Sequence, residues 1–189
     1  MSRAYRIAVK ENLKRIIRAR DHVSTQVEIL EVLPKEQMAQ LLKEELQRRG
    51  FQEKGKQLVR SQNGVTVTVD PTDGSVKVES ERQENVELEG ERVGRAWDDA
   101  GPNSKQLKDQ LRKELVADLE KQAGSKETEL QKAATDALES QLGDLRQELD
   151  RAVNRVTAEA LKQKAATLGS IKEMTEDAES GSLTIVLEV

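Results

Sequence analysis

Asn63-Gly-Val-Thr-Val-Thr-Val-Asp-Pro-Thr-Asp-Gly-Ser-Val-Lys-Val78 reads as two turns and two strands, and the fold class of this 189-residue chain follows from it. Asn63-Gly64 suits a type I′ hairpin turn, because both central positions of that turn take φ > 0. Val65, Val67 and Val69 alternate with Thr66 and Thr68, the period of a strand with one buried face. Asp70-Pro-Thr-Asp-Gly74 carries the residues of a second turn, and Val76 and Val78 return from it. Leu58-Val59, just upstream, is short enough to be a small partner strand.

Towards the N-terminus, Met38, Leu41, Leu42 and Leu46 form one stripe of a helix over Lys35–Arg49. Pro34 suits its first turn, and Gly50 with Phe51 suits its close. Val23, Thr25, Val27 and Ile29 alternate and run on to Val32-Leu33, which predicts a strand. Tyr5, Ile7 and Val9 predict another, with Tyr5 in phase with its buried face; Leu13, Ile16 and Ile17 either continue it or form a turn of helix. On the other side of the meander, Val86, Leu88 and Val93 predict a further, acidic edge strand, where charge discourages unwanted pairing.

Asp98-Asp-Ala-Gly-Pro-Asn-Ser104 marks a boundary, with Asn103 and Gln106 resembling a capping box. From Ser104 to Leu168 there is no proline. Leu107, Leu111, Leu115 and Leu119 make one apolar stripe; Ala134, Leu138, Leu142, Leu145, Leu149, Val153, Val156 and Ala160 make a second. The second stripe follows an 11-residue period, which suits a nearly straight or slightly right-handed coil. It keeps phase across Gly143, whereas Gly124-Ser125 breaks the first, so Gly124 is the expected apex of a hairpin. The arms would span about 20 and 43 residues, roughly 30 and 65 Å, and the longer would need cover beyond the shorter. Gly169 ends the helical region. Ile171–Thr175 and Leu183–Val189 read as strands around a turn at Glu179–Ser182, the last expected to join the N-terminal sheet. The expected class is α+β: an antiparallel or mixed sheet with one packing helix, plus a long inserted helical hairpin or coiled-coil arm. The expected division is residues 1–102 with 169–189 as the α+β domain and 103–168 as the insertion.

Hydrophobic and charged residues each make up 35 %, so the composition suits much exposed helix surface rather than one large spherical core. Tyr5, Phe51 and Trp97 are the whole aromatic complement, thin for the walls of a deep ligand pocket. The absence of cysteine excludes disulfides, thiolate metal sites and a cysteine nucleophile. No apolar run approaches the roughly 20 residues that span a bilayer. The start, Met1-Ser-Arg-Ala-Tyr-Arg-Ile7, lacks a signal-peptide core, so a cytoplasmic location and no membrane partner are expected.

Three short stretches carry a family likeness: Ser2-Arg-Ala-Tyr-Arg-Ile7; Val27-Glu-Ile-Leu-Glu-Val-Leu-Pro34 followed by a helix ending Arg49-Gly-Phe51; and Gly181-Ser-Leu-Thr-Ile-Val-Leu-Glu-Val189. Together they resemble small bacterial proteins grouped as FtsH ternary system domains. Those are accessory proteins encoded beside AAA+ ATPases, in gene clusters thought to act in biological conflict. The resemblance implies an accessory subunit of an ATPase-centred assembly, with an AAA+ ATPase as partner. It supplies no catalytic motif to carry onto residues here.

The residues themselves offer little chemistry. His22 is the only histidine, and no nucleophile elbow accompanies it. Asp70–Gly74 lacks the third-position acid and closing Glu of a calcium loop and reads as a turn. Asp98-Asp99 reads as a solvated pair. Neither phosphate-binding glycine motif is present, and Gly90 and Gly94 stand alone in an acidic stretch. No catalytic residue, cofactor or metal is expected.

Two surfaces remain. Residues 1–20 hold Arg3, Arg6, Lys10, Lys14, Arg15, Arg18 and Arg20 against Glu11 alone, while residues 79–99 hold eight acids against Arg82, Arg92 and Arg95. Arg15, Arg18 and Arg20 either pair with that acidic stretch, meet a protein partner, or contact nucleic-acid phosphates. Leu138, Leu142, Leu145 and Leu149 form the second surface, an apolar face that packs internally, self-associates through the helical arm or takes a partner helix. The expected function is a non-enzymatic structural or adaptor subunit. The alternative is a nucleic-acid-binding accessory protein using the basic N-terminal segment.

Overall fold

A computed structural model describes residues 4–97, 104–176 and 183–188. They form strand β1 (Ala4–Gln26), helix α1 (Lys35–Arg48), strands β2 (Gln52–Lys54), β3 (Gln57–Gln62), β4 (Val65–Val69) and β5 (Ser75–Trp97), helix α2 (Ser104–Leu168), and strands β6 (Ser170–Glu176) and β7 (Leu183–Glu188). The class is α+β: a five-stranded sheet in the order β1-β5-β4-β3-β2, with β6 and β7 as a separate two-stranded sheet. Contacts group the chain into two compact units, 1–20 with 81–135 and 21–80 with 136–189. The 103–168 segment thus supplies core to both.

In the second unit the meander folds as read. Asn63 and Gly64 take φ of 52° and 77°, and β3 pairs antiparallel with β4 from Leu58↔Val69 to Gln62↔Val65. At the next turn the Asp70 carboxylate accepts the Thr72 N–H at 2.9 Å, and the Asp73 carboxylate accepts the Ser75 N–H at 2.8 Å. The latter bond holds Asp73 below the usual carboxylate range. β4 then pairs with β5 from Val69↔Val76 to Val65↔Ser80. Val65, Val67, Val69, Val76 and Val78 share one core with Met38, Leu42 and Leu46 of α1 and with Leu138, Leu145, Leu149 and Val156 of α2. Each such side chain contributes about 1.5–3 kcal/mol relative to exposure. The end of α1 is fastened by Gly50 N–H to Gln47 O (3.0 Å) and Phe51 N–H to Leu46 O (3.1 Å), with Phe51 buried. Pro34 sits one position before the helix, where its carbonyl accepts from Gln37 and Met38.

In the first unit β1 and β5 form a long ribbon against α2. Val9, Leu111, Leu115 and Leu119 are its buried centre, with Ile7, Leu13, Leu88 and Leu107 packed around them. Gly90 and Gly94 explain themselves here. A Cβ at Gly90 would lie 2.6 Å from Leu115 Cδ1, and one at Gly94 would lie 2.9 Å from Leu111 Cδ1. The strand is bare at these points so that the helix leucines can sit on it.

Several sequence expectations are corrected. Residues 104–168 are one helix, not a hairpin with unequal arms, and Gly124 lies inside it. A helical glycine costs only about 1 kcal/mol against alanine, which burial on both sides of it outweighs. Ser125 and Thr128 hydroxyls donate to the Lys121 and Gly124 carbonyls across the site. The 11-residue period was correctly read: Ala123, Ala134, Leu145 and Val156 are buried in phase, as are Leu138, Leu149 and Ala160. The open choice at residues 13–17 resolves as strand, since β1 is continuous to Gln26. Val27–Leu33 is not a strand; Val27 N–H instead donates to Gly74 O at 2.9 Å. The acidic stretch continues the Val76 strand rather than forming another. The C-terminal strand pairs with β6 and not with the main sheet. The expected boundary at 98–103 with its capping residue Asn103, the turn at 179–182 and the side chain of Tyr5 lie outside the described residues.

Candidate interaction surfaces

On the outer face of the ribbon the basic strand meets the acidic one rung by rung. Lys10 pairs with Glu91 (3.4 Å), Lys14 with Glu87, and Arg20 with Glu81 (3.1 Å). Between them, Asn12 Nδ2 donates to Glu89 (3.2 Å) and Arg18 Nε donates to Gln83 (3.0 Å). The partner's number falls as the first rises, so the strands are antiparallel. Of the expected basic trio, Arg20 is ion-paired, Arg18 is hydrogen-bonded and Arg15 is exposed without an ion pair among the described residues. Three of the seven cations of the basic segment, Lys10, Lys14 and Arg20, are thus ion-paired within this unit. Arg92 adds a clamp from β5 onto the helix, gripping Glu114 and Asp118, and Arg112 pairs with Glu11 at 2.7 Å.

The second unit carries a part-buried ion pair and a buried glutamate. Arg60 on β3 donates to both carboxylate oxygens of Glu148 on α2, at 2.7 and 2.6 Å. Its guanidinium lies 4.5 Å from the Phe51 ring centroid and also donates to the Arg49 carbonyl. The Arg60 hydrogen bond, against opposing burial, holds Glu148 below the ordinary glutamate range. Glu45 on α1 is 4 % exposed and sits among Arg49 (2.8 Å), Arg48 (3.5 Å) and Arg155 of α2 (3.6 Å). A buried carboxylate without such partners would cost several kcal/mol.

Beside this core lies an open cleft of about 860 Å³. Its floor is Val76 and Val78 of β5; one wall is Val23 with Thr25, Gln26, Val27 and Glu28, and the other is the α2 face carrying Leu142, Leu145, Leu149 and Val153. Three of the four expected stripe leucines therefore share one wall. Leu145 and Leu149 are buried at its base, Leu142 is half-buried at its mouth, and Leu138 is wholly in the core. Arg146, Asp150 and Asn154 form the polar rim on the helix side. Sequence reading marked Val23, Val27, Val76 and Val78 as strand residues but did not join them to the helix stripe; only tertiary packing brings them together. Ala152, fully buried in the stripe, is not in the sequence reading because the larger Val153 beside it, which is only half-buried, takes its place there. Arg60 and Glu148, 88 positions apart, had no sequence signal at all.

His22 is exposed, its backbone N–H bonded to the Asp21 carboxylate at 2.8 Å. Among the described residues no helix is long and apolar enough to cross a membrane, and no group of His, Asp and Glu is placed to hold a metal ion.

A family model described as FtsH ternary system domain X5 matches residues 1–189, the same grouping that the short apolar stretches resemble. No curated protein and no solved structure matches the chain.

Proposed function

The chain belongs to the FtsH ternary system domain X5 family, and from that premise we propose that it is a non-enzymatic structural or adaptor subunit of an FtsH-like, ATPase-centred bacterial system. The observation that carries this reading is the whole-length family match. The cleft supports it, because an aliphatic floor with a polar rim is the make-up of a docking surface. Valine and leucine make up eight of the fourteen residues that line it, beside the charged Glu28, Arg146 and Asp150. The cross-strand pairing of Lys10, Lys14 and Arg20 likewise favours a structural role for the basic strand over phosphate contact.

The test is co-expression of the tagged chain with the ATPase of its own system, followed by size-exclusion chromatography. Co-elution of the pair is expected, together with its loss in a Leu142→Asp variant whose circular dichroism is unchanged. Absence of a complex with and without ATP would overturn the reading. A salt-sensitive gel shift with random-sequence DNA or RNA would turn it towards nucleic acid.

A further inference from the structure

We propose that this chain forms a two-fold dimer in which β1 pairs antiparallel with β1 of a second copy, centred on Leu13. The proposal goes beyond the adaptor reading and uses neither its cleft nor its partner.

The open edge comes first. β1 ends the strand order of its sheet, so along Ile7–Ala19 only one of its edges meets a strand among the described residues. The rungs from Lys10–Glu91 to Arg20–Glu81 keep one register, which leaves no bulge to twist the other edge away, and the stretch has no proline. Arg20 lies outside this stretch, its carbonyl accepting from Gln131 Nε2 at 3.3 Å. An edge of this length without bulge or proline is a site of strand pairing unless charge blocks it.

The charge on the edge is the second observation, and it selects the occupant. Glu11, Leu13 and Arg15 alternate onto the face turned to α2, since Leu13 packs against its leucines and Glu11 pairs with Arg112. Arg15 is exposed there. A charge so placed guards an edge against strands that bring no counter-charge. A second β1 brings one. Antiparallel pairing about Leu13 sets Glu11 of each copy opposite Arg15 of the other, twice by symmetry. Arg112 Nε holds Glu11 through Oε1 at 2.7 Å, and a carboxylate has a second oxygen to offer.

The rest of the register agrees. Leu13 meets Leu13, Val9 meets Ile17 and Ile7 meets Ala19, so the apolar face of one ribbon runs on into the other. On the outer face Asn12 meets Lys14, Ala8 meets Arg18, and Lys10 meets Ile16, which is 58 % exposed in one chain. Centring on Asn12 instead would set Lys10 against Lys14, Arg6 against Arg18 and Glu11 against Leu13. The helix layer fits as well. α2 grips β1 through Arg112 and β5 through Arg92, so it lies over the middle of its ribbon. Two strands at about 4.8 Å each then space the two helices by about 10 Å, the distance at which helices pack. Val116, 38 % exposed, follows Arg112 by one turn on the flank that faces the other helix.

The chain has no cysteine, so introduced thiols report cleanly. Lys10→Cys mixed with Ile16→Cys under mild oxidation is expected to give a disulfide-linked pair containing one of each, several-fold above a mixture of Ala8→Cys with Ile16→Cys. Light scattering is expected to give the mass of a dimer for the unmodified chain and of a monomer for Arg15→Glu and for Glu11→Lys, each with unchanged circular dichroism. Mixing those two charge variants is expected to restore the dimer, because each supplies the counter-charge that the other lacks. An unmodified chain that is monomeric at every concentration, a dimer untouched by Arg15→Glu, or equal yields from the two disulfide mixtures would each overturn the proposal. Should Glu11→Lys disturb the fold, Arg15→Glu and the disulfide mixtures decide alone.

Discussion

Arg60 and Glu148 meet through two parallel hydrogen bonds of 2.7 and 2.6 Å, tying β3 to the middle of α2. The pair is three-quarters buried, and Phe51 packs under the guanidinium. Its geometry needs both partners, because the two parallel bonds require two acceptor oxygens in one plane, as a carboxylate has and an amide has not.

Glu148→Gln should therefore lower stability at neutral pH by about 1.5–3 kcal/mol, the range for hydrogen bonds to charged groups. Glu148 has a folded pKa below its ordinary value of 4.5, so its contribution is present above that value and lost as pH falls through the folded one. Chemical denaturation from pH 7 downward should show the wild type and Glu148→Gln converging only below about pH 4.5. A gap that stays constant into acid would refute the assignment.

Gly124 lies inside a continuous helix, and a Cβ built there meets nothing within 4 Å. Gly124→Ala should then raise stability by about 0.5–1 kcal/mol, since alanine is the better helix former and space is free. A hairpin apex would respond the other way. Thermal melting of the two proteins decides between them.

Gly90 and Gly94 should tolerate no such change. Gly90→Val would drive a branched side chain into Leu115, and overpacking of this kind costs about 1–3 kcal/mol. The loss should fall largely when Leu115 is shortened to alanine in the same chain, a coupling that a double-mutant cycle measures. Additive effects would place the clash elsewhere.

The charged rungs of the ribbon are exposed and individually weak, each about 0.2–1 kcal/mol. Lys14→Glu should cost near the top of that range, because it sets two acids opposite each other at Glu87. Lys14→Glu with Glu87→Lys should recover most of it, and 1 M salt should shrink both effects. Melting temperatures of the three proteins in low and high salt give the comparison.

The elements of this fold were legible wherever one face of one segment is buried along its own period. The Val65–Val78 meander, the α1 stripe and the 11-residue period of α2 all follow from local alternation against solvent. The pairing of basic β1 with acidic β5 was legible as a charge asymmetry, though not as a ladder. Gly124 misled because a glycine signals a break locally, while the decision to continue the helix was made by apolar burial on either side of it. Val27–Leu33 misled in the same way: its alternation is that of a strand, but its first N–H found Gly74 instead of a partner strand.

Composition and periodicity by themselves determined the class of this protein, the Val65–Val78 meander, the first helix and the eleven-residue seam of the long one, because each depends on how neighbouring residues divide between water and core. The tertiary structure alone decided that the helix is unbroken, that its leucines line a cleft with Val23, Val76 and Val78, that Arg60 reaches Glu148, and that the last strand pairs away from the main sheet. Those outcomes join residues far apart in the chain, and contact between such residues is fixed by packing and geometry rather than by any local pattern.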